Sequence, residues 1–249
     1  MSWLRGRLSE VQLAFMLLTR LPAGDLSGQA PDLSAARWAF PFVGLVIGAI
    51  IALAYIGLSH IGFPSILAAF LTLGLAVMAT GALHEDGLAD SADGMGGGHD
   101  RERKLAIMKD SHIGSYGVLA LIFIVGIRLS GLSFLPAEGD IIWPIIGCAI
   151  FSRIIMVAYL CLLPSARENG LGNMASGRAM RPLVSALLIS LPVFYLCGLT
   201  FIPALIVMAM IASLFGLLAK RQIGGQTGDI CGAGQLLTET AGWLTLLVL

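Results

Sequence analysis

The sequence predicts an all-helical, polytopic membrane protein, a bundle of about seven spans, and three observations carry that prediction. Hydrophobic residues make up 57% of the 249 positions and charged residues only 12%, whereas a soluble domain carries about 25% charge. Mean hydropathy is +0.89. Fifteen basic and fifteen acidic residues cancel to a net charge of zero, which excludes a soluble enzyme, a disordered chain and a nucleic-acid binder built on a basic face. The apolar residues also fall in long runs, and the basic residues fall between alternate runs.

Each run is tested against the about 20 apolar residues that cross a hydrocarbon core of about 30 Å. The candidates are 38–58, 63–83, 114–135, 141–163, 183–199, 201–219 and 236–249. Spans five and six are joined by almost nothing and predict a tight hairpin near Thr200 to Pro203. The last run is short enough to lie partly in the interface. Before the first span, an amphipathic stretch with Glu10 and Gln12 lacks the small-residue cleavage site of a signal peptide. Gly44, Gly48 and Ala52 form a small-residue stripe suited to close helix packing. The whole is read as a single membrane domain over 1–249.

Charge placement orients the bundle. Arg5, Arg7, Arg20 and Arg37 precede span one; Arg101, Arg103, Lys104 and Lys109 lie between spans two and three. Arg167, Arg178 and Arg181 follow span four, and Lys220 and Arg221 follow span six. The other three connections carry no Lys or Arg. Positive charge marks the cytoplasmic side, so the N-terminus and the polar segments 84–113, 164–182 and 220–235 are expected there. One working face suits an enzyme better than a transporter, and no repeat relates the halves.

The chemistry concentrates in those segments. If span two continues as a helix through 84–94, Asp86, Asp90 and Asp93 recur at i, i+4 and i+7, within about 40° around the axis. Three carboxylates on one face repel each other unless a cation sits among them, and an all-oxygen set favours Mg²⁺. His84 points elsewhere, as a satisfied polar residue or a substrate contact. Gly94 to Gly98 would break the helix, and a charged helix would follow from Arg101 to Asp110. Arg101 and Lys109 either complement phosphate or mark the inner face; Asp110, before Ser111, is a metal ligand or a junction cap. Arg167, Glu168 and Asn173 stand in a turn-rich loop suited to a polar ligand. The glycine-rich run at 224–229, with Thr227, resembles a phosphate-cradling turn without a P-loop ending, and its Asp229 is a further candidate ligand. Arg128, Arg153 and Glu239 are costly inside spans; Arg153 either pairs with Glu239 or reaches inward to anchor a phosphate. Four scattered cysteines form neither a disulfide framework nor a thiolate metal site.

These motifs, in order, are His84-x-Asp86-Gly-Leu-Ala-Asp90-x-x-Asp93-Gly, Ile107-Met108-x-Asp110-Ser111-x-x-Gly114-x-x-Gly117, Arg167-Glu168-x-Gly170-Leu171-Gly172-Asn173 and Gly224-Gly225-x-Thr227-Gly228-Asp229. With Arg20-Leu21-Pro22 and Pro41-x-x-Gly44-Leu45, they resemble the cobalamin synthase family of adenosylcobinamide-GDP ribazoletransferases from about residue 15 onward. Glu85 and Asn169 depart from the family pattern. The resemblance implies a multi-pass enzyme of the bacterial inner membrane with a cytoplasmic active face. Its substrates would be adenosylcobinamide-GDP and α-ribazole or its 5′-phosphate. GMP would leave, adenosylcobalamin or its phosphate would form, and Mg²⁺ would be required.

On this reading Asp86, Asp90 and Asp93, with Asp110 and Asp229, hold the metal. Asp93 or Asp86 serves catalysis, Asp93 as the chosen proton acceptor. His84, Arg101, Lys109, Ser111, Arg153, Arg167, Glu168, Asn173 and Thr227 contact substrate. Partners would be the bilayer and neighbouring corrinoid enzymes or a second copy, with no nucleic acid. A CDP-alcohol phosphotransferase is the nearest alternative, although Asp90 stands where its motif has Arg. A cation transporter is the alternative from another class.

Overall fold

A computed structural model describes residues 2–26 and 30–249, and among these every regular element is helical. Helix α1 (Ser2–Leu18) precedes a short turn of helix, α2 (Leu33–Ala36), which leads through a 3-10 turn into α3 (Phe40–His60). Then come α4 (Ser65–Thr80), α5 (Leu83–Gly97), α6 (Arg101–Ile107), α7 (Ser115–Phe134) and α8 (Ile142–Leu162). The short α9 (Leu171–Ala175), α10 (Arg181–Cys197), α11 (Ile202–Ile223) and α12 (Gly228–Leu246) complete the chain.

Among the described residues, four helical runs are long and apolar enough to cross a membrane: 33–60, α7, α8 and 199–223; a fifth crossing arises if α4 and α5 count as one bent span. The expected boundaries of the first, third, fourth, fifth and sixth spans agree with α3, α7, α8, α10 and α11 to within a few residues. The hairpin between α10 and α11 is also present, turning through a 3-10 segment at Leu199–Phe201.

Two expectations are corrected. Span two does not run on as a straight helix. Gly81 (φ 64°) and Ala82 (φ 56°) both take the left-handed conformation, so α4 stops and α5 departs at 87°. Glycine adopts that conformation freely and alanine does so at a cost. The glycine run at 94–98 does not interrupt α5, which continues to Gly97.

Helix α8 forms the axis of the bundle. Of its most apolar stretch 83% is buried, against 28% for α7 and 28% for the 199–223 run. The small-residue stripe explains one side of that burial. A Cβ on Gly44 would meet the backbone of Ala149 and Ile150 at 2.7 Å, and one on Gly48 would meet Ile146 Cα at 2.8 Å. The backbones of α3 and α8 therefore touch, as small residues allow. Outward, α4, α7, α10 and α11 present large apolar side chains such as Phe70, Phe123, Leu188 and Leu214, the surface a bilayer solvates.

Helix α12 packs beside α8 and begins at Gly228, eight residues before the expected span. Its polar first half is therefore helix, packed against α5. Thr227 starts it by accepting the Ile230 N–H at 3.2 Å, a side-chain N-cap.

Candidate active site

The segments expected on one face do meet at one end of the bundle. The loop after α8 and the loop before α12 pair through two backbone hydrogen bonds, Ala166 N–H to Gln226 O and Gln226 N–H to Pro164 O, both 2.8 Å. Gln226, wholly buried, adds a side-chain bond to Gly172 O at 3.0 Å. Arg101 bonds Ile223 O at 2.8 Å and Ala166 O at 3.1 Å, which ties α6 to both loops. Arg37 reaches Leu160 O at 3.2 Å and Gly177 O at 3.0 Å from below. Helix α5 lies against α12 at Gly87, where a Cβ would meet Asp229 O at 2.8 Å. Only glycine admits that approach.

The assembly encloses a cavity of about 210 Å³. It is lined by Asp86 from α5, Arg167 from the loop after α8, Asn173 from α9, the N-cap Thr227 and Asp229 from α12, with Asp86, Arg167, Asn173 and Asp229 at its rim. Its floor is apolar and includes Leu18, Phe40, Met156 and Leu160, each under a tenth exposed. Arg167 Nη1 meets Asp229 Oδ2 at 3.0 Å, while its Nε and Nη2 are buried without a partner. Thr227 donates to Asp229 Oδ2 at 3.2 Å. Asp90 stands one turn along α5 from Asp86, and its carboxyl is pushed up to about 6, by burial first and then by the Asp229 and Asp86 carboxylates. Three acids thus share the neighbourhood of one arginine.

An uncompensated, all-oxygen donor set of this kind suits a hard divalent cation. In the conformation seen, no three His, Cys, Asp or Glu side chains among the described residues are gathered tightly enough to hold an ion. The acids are assembled on the rim without being closed into a ligand shell.

Other expected site residues stand elsewhere, each for a physical reason. Both oxygens of Asp93 are engaged: Oδ2 accepts the Gly114 N–H at 2.7 Å and Oδ1 the Gly117 N–H at 2.8 Å. Asp93 therefore satisfies orphan donors at the start of α7, a structural task beside the metal and proton-acceptor roles expected of it. Asp110 is exposed and accepts from the backbone and ring nitrogens of its neighbour His112, outside the cavity. Lys109 and Ser111 are likewise exposed on that turn. The guanidinium of Arg101 is occupied by main-chain carbonyls. Glu168 is exposed, and its carbonyl accepts Asn173 Nδ2 at 2.5 Å, so it shapes the loop through its backbone.

Arg153 resolves to the first of its two expected roles. Deep in the bundle, Glu239 accepts from Arg153, from Arg128 at 2.8 Å, from Gln235 at 2.8 Å and from Ser152 at 3.2 Å. Arg128 also stacks 4.2 Å from the Trp243 ring centroid. His84 is 2% exposed, behind the cavity wall and facing these same charges. Its Nε2 has no partner.

Sequence reasoning overlooked Arg37, Gln226 and Gly87. The signals existed only in part: Gln226 sat within a glycine-rich turn already singled out, whereas Arg37 read simply as an inner-face charge.

Comparisons with known proteins follow the same segments. The family model of cobalamin-5-phosphate synthase matches residues 10–247. A Mesorhizobium japonicum relative named adenosylcobinamide-GDP ribazoletransferase is 40% identical over 238 residues, covering 95% of this chain and 92% of its own. A relative of that name from a Sinorhizobium species is 42% identical, over 92% of this chain and 91% of its own. Another, from Syntrophobacter fumaroxidans, is 39% identical over 91% and 92%. No solved structure matches.

Proposed function

Because the chain belongs to the cobalamin-5-phosphate synthase family, we propose that it transfers the adenosylcobinamide-phosphoryl group of adenosylcobinamide-GDP to α-ribazole or its 5′-phosphate. The acceptor's hydroxyl oxygen forms the new bond to the corrinoid-side phosphorus. The bond to the leaving phosphate breaks, GMP departs, and the hydroxyl proton passes to a carboxylate.

The observation that carries this reading is the convergence of Asp86, Arg167, Thr227 and Asp229, from three separate segments, on one cavity. Phosphoryl transfer demands positioning and charge neutralisation more than covalent help from the protein. Arg167 holds Asp229 through Nη1, and its Nε and Nη2, buried without a partner among the described residues, are the donors it would turn to phosphate oxygens. Asp86 and Asp229 stand on the rim from two packed helices, and one of them takes the proton, since both oxygens of Asp93 already accept backbone N–H groups. Asp86, Asp90 and Asp229 would hold Mg²⁺, which when bound polarises the pyrophosphate and neutralises its charge.

We also propose that the N-terminus and the cavity face the cytoplasmic side of the bacterial inner membrane, because Lys and Arg concentrate in the segments that include the cavity loops and are missing from the other three connections. On this reading α10 and α12 also cross, giving seven spans with α4 as the second.

The test is direct. Protein in liposomes receives adenosylcobinamide-GDP and α-ribazole 5′-phosphate, with Mg²⁺ or with EDTA, and GMP and the corrinoid product are quantified. Equimolar, Mg²⁺-dependent release of both is expected. No product from folded protein, or CMP release from a CDP-alcohol substrate, would overturn the proposal.

A further inference from the structure

The cavity joins two unlike surfaces, and their chemistry divides the substrates between them. The rim carries the charged and polar side chains Asp86, Arg167, Asn173 and Asp229 beside the exposed Leu83 and Leu171. The floor, formed by Leu18 from α1, Phe40 from α3, and Met156 and Leu160 from α8, holds no charged or hydrogen-bonding side chain. All four are at most 5% exposed. Cys231 completes it, its thiol already turned to Gln226 Oε1.

Three pieces of the proposed reactants compete for this space. A corrin macrocycle with its amide side chains is far larger than about 210 Å³. Guanine would fit by size, but its carbonyl, ring N–H and exocyclic amine would lose their water without gaining a partner. Burying unpaired polar groups of that kind costs far more than an apolar floor returns. The benzimidazole of α-ribazole is planar, bicyclic and almost without hydrogen-bonding groups. Seated on the floor, it would leave its ribose at the rim, where Asp86 and Asp229 stand.

We propose that the apolar floor is the acceptor-base subsite, so that Leu18, Phe40, Met156 and Leu160 select the base of the incoming nucleoside while the corrinoid donor approaches from the open, polar side. This rests on the function proposed above and assigns which substrate each wall of the site receives. The order of approach follows: the acceptor sits deeper, and the bulky donor covers it.

Met156→Phe adds bulk to the floor, and Met156→Leu keeps its volume. Both are made in the full chain in liposomes, with KM measured separately for acceptor and donor, and with binding of free benzimidazole and free guanine measured without either substrate. The expected result for Met156→Phe is an acceptor KM raised by about tenfold, the scale of one misfitted group in an apolar pocket. Donor KM and kcat at saturating acceptor should stay within about twofold, and Met156→Leu should resemble wild type. Benzimidazole should bind wild type, more weakly bind Met156→Phe, and outcompete guanine.

A raised donor KM with acceptor KM unchanged would overturn the assignment, and so would tighter binding of guanine than of benzimidazole. If Met156→Phe lowers the thermal transition, Leu18→Phe puts the same question from the opposite wall. Wild-type protein that binds benzimidazole but makes no product would overturn the function and not the subsite.

Discussion

Two clusters of charge lie within a few helical turns of each other, and they differ in what has been left unspent. In the interior, Glu239 accepts from Arg128, Arg153, Gln235 and Ser152, with all three charged side chains at most 7% exposed. Beside the cavity, Asp86, Asp90 and Asp229 have one arginine between them, whose Nε and Nη2 are buried without a partner among the described residues. The same residue types serve opposite purposes. The interior network, which leaves only Arg153 Nε of its guanidinium nitrogens buried without a partner among the described residues, fixes α7, α8 and α12 against each other through one shared carboxylate, where an unpaired charge is costly. An open one holds capacity in reserve for a ligand that brings its own charge.

The comparison can be broken at either end, and the largest effect is expected at the rim. Asp229→Asn should lower turnover by at least about a hundredfold, since it weakens charge stabilisation at the reacting phosphate while the thermal transition stays near wild type. In the interior the same kind of change should do the reverse. Glu239→Ala leaves two guanidiniums unpaired and should destabilise by about 3–5 kcal/mol, read as lost yield of monodisperse protein. Replacing Glu239, Arg128 and Arg153 together with packed apolar residues should recover much of that loss.

Smaller changes sharpen the boundary between the clusters. Arg167→Ala removes charge-assisted hydrogen bonds worth about 1.5–3 kcal/mol, so kcat/KM should fall by about ten- to a hundredfold with little effect on stability. Asp93→Asn tests the acid that the fold diverts to capping. It should cost about 1 kcal/mol of stability, the usual scale of a cap, and leave most activity. A dead but fully stable Asp93→Asn enzyme would return that carboxylate to the chemistry.

The sequence made the long apolar helices legible because bilayer thickness sets their length, and α3, α7, α8 and α11 fall where hydropathy puts them. It exposed Asp86, Asp90 and Asp229 because acids without interleaved bases are conspicuous in an apolar chain. Other features depended on contacts between distant residues. The break at Gly81 and Ala82 needs an alanine at φ 56°, which no local preference announces. Asp93 matched the helical period of Asp86 and Asp90, but its partners Gly114 and Gly117 lie over twenty residues away. The first half of α12 looked like a loop because glycine and polar residues conceal a helix judged by hydropathy alone. Thr227 followed by Asp229 was the usable signal, an N-cap with an acid in the first turn.

The most direct test compares wild type with Asp86→Asn in liposomes across a Mg²⁺ titration, with GMP and corrinoid product measured together and folding checked by thermal transition. Asp86 lines the cavity and, among the described residues, its carboxylate accepts no hydrogen bond, so its charge is available to the metal and the phosphates. Wild type should release both products in equal amounts only when Mg²⁺ is present. Asp86→Asn should fold normally and lose turnover by at least about a hundredfold. An Asp86→Asn protein with wild-type turnover and wild-type Mg²⁺ dependence would contradict the account.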